Sequence, residues 1–269
     1  MDLADKFRVK PRGRVSLDRY DTAETPGFKS KHAAEKALHA NIARLADLQY
    51  LLYAENKRAL LVVFQGTDAA GKDGVIRHVM SGVNPQGCRV TSFKTPSAEE
   101  ADHGFLWRIH KAVPPKGEIG IFNRSHYEDV LIVRIHKLVP KSVWSKRFKE
   151  INAFEELLAS QDVVILKFFL HISKDEQKAR FRERLDDKEK NWKVSPADLE
   201  ERKFWDDYTA AYEDVLSKTS TRHAPWFVIP SDRKWYRNLA VSTIITEALA
   251  SLDMKFPPPP ADLDRVVLK

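Results

Sequence analysis

Short unbroken apolar runs alternate along this chain with longer stretches in which apolar residues recur every three or four positions. Between His32 and Asn56, Leu38, Ile42, Leu45, Leu48, Leu51 and Leu52 fall mostly on one face, which predicts an amphipathic helix. Ala59–Gln65 then runs apolar and rich in Val and Leu, with charge before it and Gly66 after. Such a run reads as a strand buried on both faces, as in a parallel sheet. The pattern recurs: strands are predicted at Arg89–Phe93, Glu118–Phe122, Val163–Ile172 and Trp226–Pro230. Helices are predicted at Gly74–Met80, Ala98–Ala112, Ser142–Ser160, Asp175–Leu185, Ala197–Leu216 and Arg233–Leu252. This alternation implies an α/β fold, a parallel sheet flanked by helices on both faces. Residues 1–32, broken by Pro11, Gly13, Pro26 and Gly27, read as an irregular N-terminal extension. Residues 33–255 form the one domain, and 256–269, containing Pro257–Pro260, an extended tail.

Composition narrows the class. A hydrophobic share of 43% is enough to build a core and excludes an intrinsically disordered chain. No apolar run approaches the roughly 20 residues of a membrane-spanning helix, and Met1–Arg14 lacks the apolar core of a secretory signal. Cys88 is the only cysteine, so no disulfide forms within the chain and no cysteine zinc site is possible. A reducing, cytoplasmic setting without membrane attachment is expected. The net charge of +7 favours polyanionic partners but is equally what solubility alone would require, so the motifs have to decide.

Between the first strand and its helix lies Gly66-Thr67-Asp68-Ala69-Ala70-Gly71-Lys72-Asp73, with the G-x-x-x-x-G-K spacing of a phosphate-binding loop. Gly66 and Gly71 let the backbone amides around Ala69 and Ala70 curl about a phosphate. The helix N-terminus at Asp73 and Gly74 adds its dipole, and Lys72 reaches the transferring group. Asp73 stands where such loops usually carry a Mg²⁺-holding hydroxyl. The metal contact is therefore expected to move to another carboxylate, with Asp68 best placed. The third strand runs into Asn123-Arg124-Ser125-His126-Tyr127-Glu128-Asp129. A parallel sheet delivers strand C-termini to the ligand crevice. Arg124 is thus a candidate phosphate fork, and Asp129 or Glu128 a candidate to complete the metal shell or orient the acceptor. His126 reads as structural, and Phe105 and Trp107 as core rather than a nucleobase platform.

Phe64-Gln65 with the loop through Gly74, paired with Phe122–Asp129, resembles the Walker A and Walker B motifs of the polyphosphate kinase 2 family. So do Asn84-Pro85, Phe93–Ser97, the stretch His171–Gln177 with Arg180-Phe181, Arg184 and Trp192-Lys193, and Ala224–Trp226 with Pro230–Lys234. The resemblance spans about residues 33 to 255. It implies a P-loop kinase core similar to thymidylate kinase, with a helical lid at about 175–200. It also implies a polyphosphate donor, a nucleotide acceptor, and Mg²⁺ (or Mn²⁺ in its place). The residues matching the family's catalytic set are Asp68, Lys72, Arg124 and Asp129, with Asp68 and Asp129 the expected metal ligands. Many members have Asp where this chain has Asn123, which takes a direct metal role from that position. Asn123 with His126-Tyr127-Glu128-Asp129 is similar to the class III subgroup, which accepts both AMP and ADP.

Arg180 and Arg184 lie four apart on one predicted helix face. On the resemblance they would close over the phosphates and neutralise transition-state charge. Lys94 and Lys193 are further candidate phosphate contacts. The reading is a polyphosphate:AMP/ADP phosphotransferase that also binds ATP, acts reversibly, forms a homo-oligomer and has no nucleic-acid partner. The alternatives are an ATP-dependent nucleoside monophosphate kinase and, more remotely, a basic nucleic-acid-binding ATPase.

Overall fold

The computed structural model describes residues 2–261 of the chain, so the end of the expected tail lies outside the described residues. Five strands, β1 Ala59–Gln65, β2 Cys88–Ser92, β3 Ile119–Asn123, β4 Val163–His171 and β5 Trp226–Pro230, form one parallel sheet in the order β2-β3-β1-β4-β5. β1 is central and buried along its whole length, which explains its unbroken apolar run. Its alternate residues feed two cores. Leu60, Val62 and Phe64 pack beneath helices α2 (Lys31–Glu55), α3 (Lys72–Val79) and α11 (Lys234–Ala250). Leu61 and Val63 face the opposite core, built with α7 (Lys141–Ser160) and α10 (Trp205–Thr219). A parallel sheet with helices on both faces is the architecture expected from the alternation.

Chain order reverses across β1: β3 lies on one side of it and β4 on the other. That switch opens a crevice at the carboxyl ends of the strands. Register sharpens it, because Phe64 pairs with Asn123 and Arg124 N–H donates to the Phe64 carbonyl at 3.1 Å. The phosphate-loop motif and the second motif therefore leave the sheet side by side.

Three expectations change. The N-terminal extension is not irregular. It forms α1 (Leu3–Phe7) and buries Leu3, Phe7, Val9, Val15 and Leu17. Arg8 bridges Phe227 antiparallel, covering the otherwise open edge of β5. The single helix expected over Ala98–Ala112 is two, α4 (Ala98–Ala101) and α5 (Trp107–Ala112), interrupted around Gly104. The one expected over Ala197–Leu216 is α9 (Pro196–Glu201), a tight turn at Arg202–Phe204, and α10. A short helix α6 (Ile132–Ile135) follows the second motif, and α8 (Lys174–Asp186) follows β4.

Candidate active site

The loop after β1 has the backbone its glycines predict. Gly66 has φ +154° and Gly71 φ +104°, and Ala69 accepts φ +60° between them. Gly71 precedes α3 without any side-chain cap, so the first-turn amides of that helix are left for a ligand. Lys72 does not project freely into solvent. Its side chain is buried, and Nζ donates to the carbonyls of Gly66 (2.8 Å) and Thr67 (3.3 Å). Burial and the nearby Arg124 charge lower its pKa to about 8, against the pull of Asp68 and Glu128.

Arg124 sits at φ +62°, an uncommon conformation for a residue with a side chain. Its guanidinium donates to Asp68 Oδ1 at 2.8 Å, tying the two motifs across the crevice. Glu128 faces the same space. In the amide orientation that satisfies both its ends, Gln65 Nε2 donates to Glu128 Oε1 at 3.1 Å. Burial raises the Glu128 pKa, while Arg124 and Lys72 hold it down. Asp73 and Asn123 meet at the mouth of the crevice, where Asn123 Nδ2 donates to Asp73 Oδ1 at 2.6 Å.

Five expected participants, Asp129, Arg180, Arg184, Lys94 and Lys193, do not line the cleft. Asp129 does not share the crevice with Asp68. Its carboxylate accepts from Arg147 at 3.1 Å, and the same arginine holds its backbone carbonyl at 3.0 Å. The short helical turn His126–Val130 places adjacent residues on different sides, so Glu128 faces the loop and Asp129 faces α7. The side chains do not bring Asp129 to Asp68 as expected: Asp129 pairs with Arg147, and the carboxylates that line the cleft with Asp68 are Glu128, Asp198 and Glu201. Arg180 is not a lid arginine free to grip phosphate. It is buried and commits all five N–H donors: Nε to Glu176, Nη1 to the Ala69 and Ala70 carbonyls, and Nη2 to those of Ser231 and Asp232. It braces the back of the loop, holding carbonyls outward so that the amides can face a ligand. Arg184, expected on the same face, instead reaches toward Asp198 Oδ2 at 4.0 Å. Lys94 and Lys193 are exposed and do not line the crevice.

His126 is structural, as its sequence context suggested. Its Nε2 meets Glu155 at 3.2 Å, and Tyr127 Oη donates to the same carboxylate at 2.7 Å. Lys167, fully buried, completes this floor beneath the second motif by donating to Glu155 and to Tyr127 Oη.

The sequence reading missed the far wall. Asp198 and Glu201 of α9 and Arg202 just after it, with Tyr208 and Tyr212 from α10, line the cleft together with Gly66, Asp68, Arg124 and Glu128. In the sequence these residues look like a solvated helix of mixed charge. Only the break at Arg202–Phe204 turns them inward. Asp198 feels Asp68 across the gap: burial and then that like charge raise its pKa. The lined cleft thus holds four carboxylates, Asp68, Glu128, Asp198 and Glu201, to two arginines, Arg124 and Arg202.

This arrangement suits transfer of a phosphoryl group between two anionic chains, and related proteins agree. A family model described as Polyphosphate kinase 2 matches residues 28–257. An AMP/ADP-polyphosphate phosphotransferase of Meiothermus ruber is 52% identical over 98% of this chain and 99% of its own. An ADP-polyphosphate phosphotransferase of Rhodopseudomonas palustris is 51% identical over 94% of this chain and 91% of its own. The crystal structure of Polyphosphate Kinase 2 from Arthrobacter aurescens TC1 superposes with a TM-score of 0.95 at 43% identity, covering 98% of this chain and 95% of that one. With a match of this extent in both sequence and fold, the chain belongs to the polyphosphate kinase 2 family.

Proposed function

We propose that this protein transfers the terminal phosphoryl group of inorganic polyphosphate to AMP and to ADP, giving ADP and ATP, and that it runs in both directions. The observation that carries the reading is the pairing of an uncapped anion cradle, Gly66–Lys72, with a carboxylate-rich cleft wall. Thr67 Oγ1 adds a buried hydroxyl with no protein partner in that loop. Phosphate chains would be repelled by four carboxylates unless a cation lay between, which supports Mg²⁺ or Mn²⁺. Among the described residues no group of three or more His, Cys, Asp or Glu side chains could hold a metal by itself. That fits Mg²⁺, which usually takes one or two carboxylates and completes its shell with phosphate oxygens and water. Asp68 and Glu128 would hold it, and when bound it would neutralise phosphate charge. The chain's own part is positioning. Loop amides and Lys72 seat the donor phosphate, Arg124 spans both motifs, and the lid wall excludes water. No residue is required as a nucleophile.

Acceptor choice cannot be read from overall identity, since the 52% relative is named for AMP and ADP and the 51% relative for ADP alone. Glu128 supports both acceptors here. AMP brings one phosphate fewer than ADP, and a carboxylate facing the loop can hold a water or second cation where the missing group would sit. Glu128→Asn is therefore expected to weaken AMP use more than ADP use. The ratio of kcat/KM for the two acceptors in both proteins tests this, and an unchanged ratio would remove Glu128 from acceptor selection. The same reading places the enzyme in the cytoplasm as a homo-oligomer without a nucleic-acid partner. No helix among the described residues is long and apolar enough to cross a membrane.

A further inference from the structure

Behind the phosphate loop lies a second buried arginine that the reaction as described does not use. Arg237, near the start of α11, is 3% exposed. Its Nη1 donates to the Ala70 carbonyl at 3.1 Å, while Nε and Nη2 both donate to the side chain of its neighbour Asn238. Among the described residues no carboxylate pairs with it, whereas Arg180 beside it has Glu176. Gly71 and Gly74 make room for it. A Cβ at Gly71 would overlap the Arg237 guanidinium, and one at Gly74 would stand 3.3 Å from Nη2.

A brace for the loop would not need this charge. Arg180 already holds the Ala70 carbonyl at 2.9 Å, and Asn238 is neutral. Burying an unmatched cation costs stability that a neutral donor would not. Its place directly under the loop and the first turn of α3 adds a full charge to the helix end that receives an anion.

We propose that Arg237 is a positioning residue whose charge is left unmatched within the protein so that a phosphoryl group seated in the loop supplies the counter-charge. This rests on the reading of Gly66–Lys72 as the phosphate site. Burial, and then the Arg180 charge, lower the Arg237 pKa to about 9, which still leaves it cationic at neutral pH.

The test compares R237M, R237K and K72A with the parent protein. Melting temperature is read with and without tripolyphosphate and Mg²⁺, alongside KM and kcat for polyphosphate. R237M should melt no lower than the parent without ligand, show less than half the ligand-induced rise, and raise KM by ~10-fold with kcat less affected, as expected for one charge acting through intermediate dielectric. R237K should restore most of the rise and of KM. A full ligand-induced rise and unchanged KM in R237M would overturn the proposal. So would equal impairment in R237K, which would make the guanidinium's hydrogen bonds the cause. Should R237M not fold, R237Q against R237K makes the same comparison: a weakened rise in R237Q that R237K restores supports the proposal, and equal behaviour of the two overturns it. K72A separates the levels. If it keeps the ligand-induced rise, the loop is not the phosphate site and the proposal falls with that reading. If K72A loses the rise while R237M keeps it, the proposal alone fails.

Discussion

Lys72→Ala is expected to lower turnover by at least ~100-fold, the size of one lost electrostatic contact to a developing charge, while the chain stays folded. The Lys72 ammonium is buried against the Gly66 and Thr67 carbonyls and has no carboxylate salt bridge among the described residues. A cation held that way contributes little to folding, because its desolvation offsets the two hydrogen bonds. Its lowered pKa, about 8, records that penalty. What remains is a charge kept for the substrate. Arg124→Ala should cost a similar factor, since its guanidinium spans the loop and the second motif through Asp68. The same lysine sets an alkaline limb. It is cationic below about 8 and neutral above, so kcat/KM, which reports the free enzyme, should fall as pH rises through that value. Near wild-type rates in either variant would remove that residue from the mechanism, and a profile flat to strongly alkaline pH would contradict the role given to the ammonium.

Gly71→Ala should abolish activity more completely than its one added methyl suggests. Gly71 sits at φ +104°, where a side chain is strained by ~1–3 kcal/mol, and its Cβ would overlap the Arg237 guanidinium. That arginine is locked to Ala70 and Asn238 and cannot simply swing aside. The loop must therefore shift, and its amides lose the curve that seats a phosphate. Gly27→Ala provides the control. Its φ is +84°, but nothing lies within 4 Å of the added Cβ. That variant should carry only the backbone strain, with a modestly lower melting temperature and normal kinetics. If Gly71→Ala kept polyphosphate-dependent activity near that of Gly27→Ala, the cradle geometry would not be what binds the donor.

The parts legible in the sequence were those written as local pattern. The β1 and β5 limits coincide with their apolar runs, because a strand buried on both faces admits little else. The phosphate loop was legible because its glycines are forced by backbone geometry. What the sequence hid depended on direction and distance. Glu128 and Asp129 are adjacent acids with equal claims, and only the turn after Ser125 sends one to Arg124 and the other to Arg147. Arg180 and Arg184 share a helix face in the sequence, yet α8 packs so closely on the loop that Arg180 is consumed by backbone carbonyls. Asp198, Glu201 and Arg202 carried no signal, since charged residues that turn inward look the same as charged residues that stay in solvent. The N-terminal strap was misread for the opposite reason. Its few apolar residues are spaced too irregularly to show a period, although Phe7 and Val9 are as buried as the core strands.

Everything proposed for the cleft depends on polyphosphate itself being the phosphoryl donor. The decisive measurement incubates the purified protein with ADP, long-chain polyphosphate and Mg²⁺, with no other phosphoryl donor, and follows ATP by a luciferase-coupled signal. ATP should accumulate, omitting polyphosphate or chelating Mg²⁺ should stop it, and AMP in place of ADP should yield ADP. The donor assignment would be contradicted by a protein that forms no ATP from polyphosphate under these conditions while still passing phosphate from ATP to AMP, the behaviour of an ordinary nucleoside monophosphate kinase on the same fold.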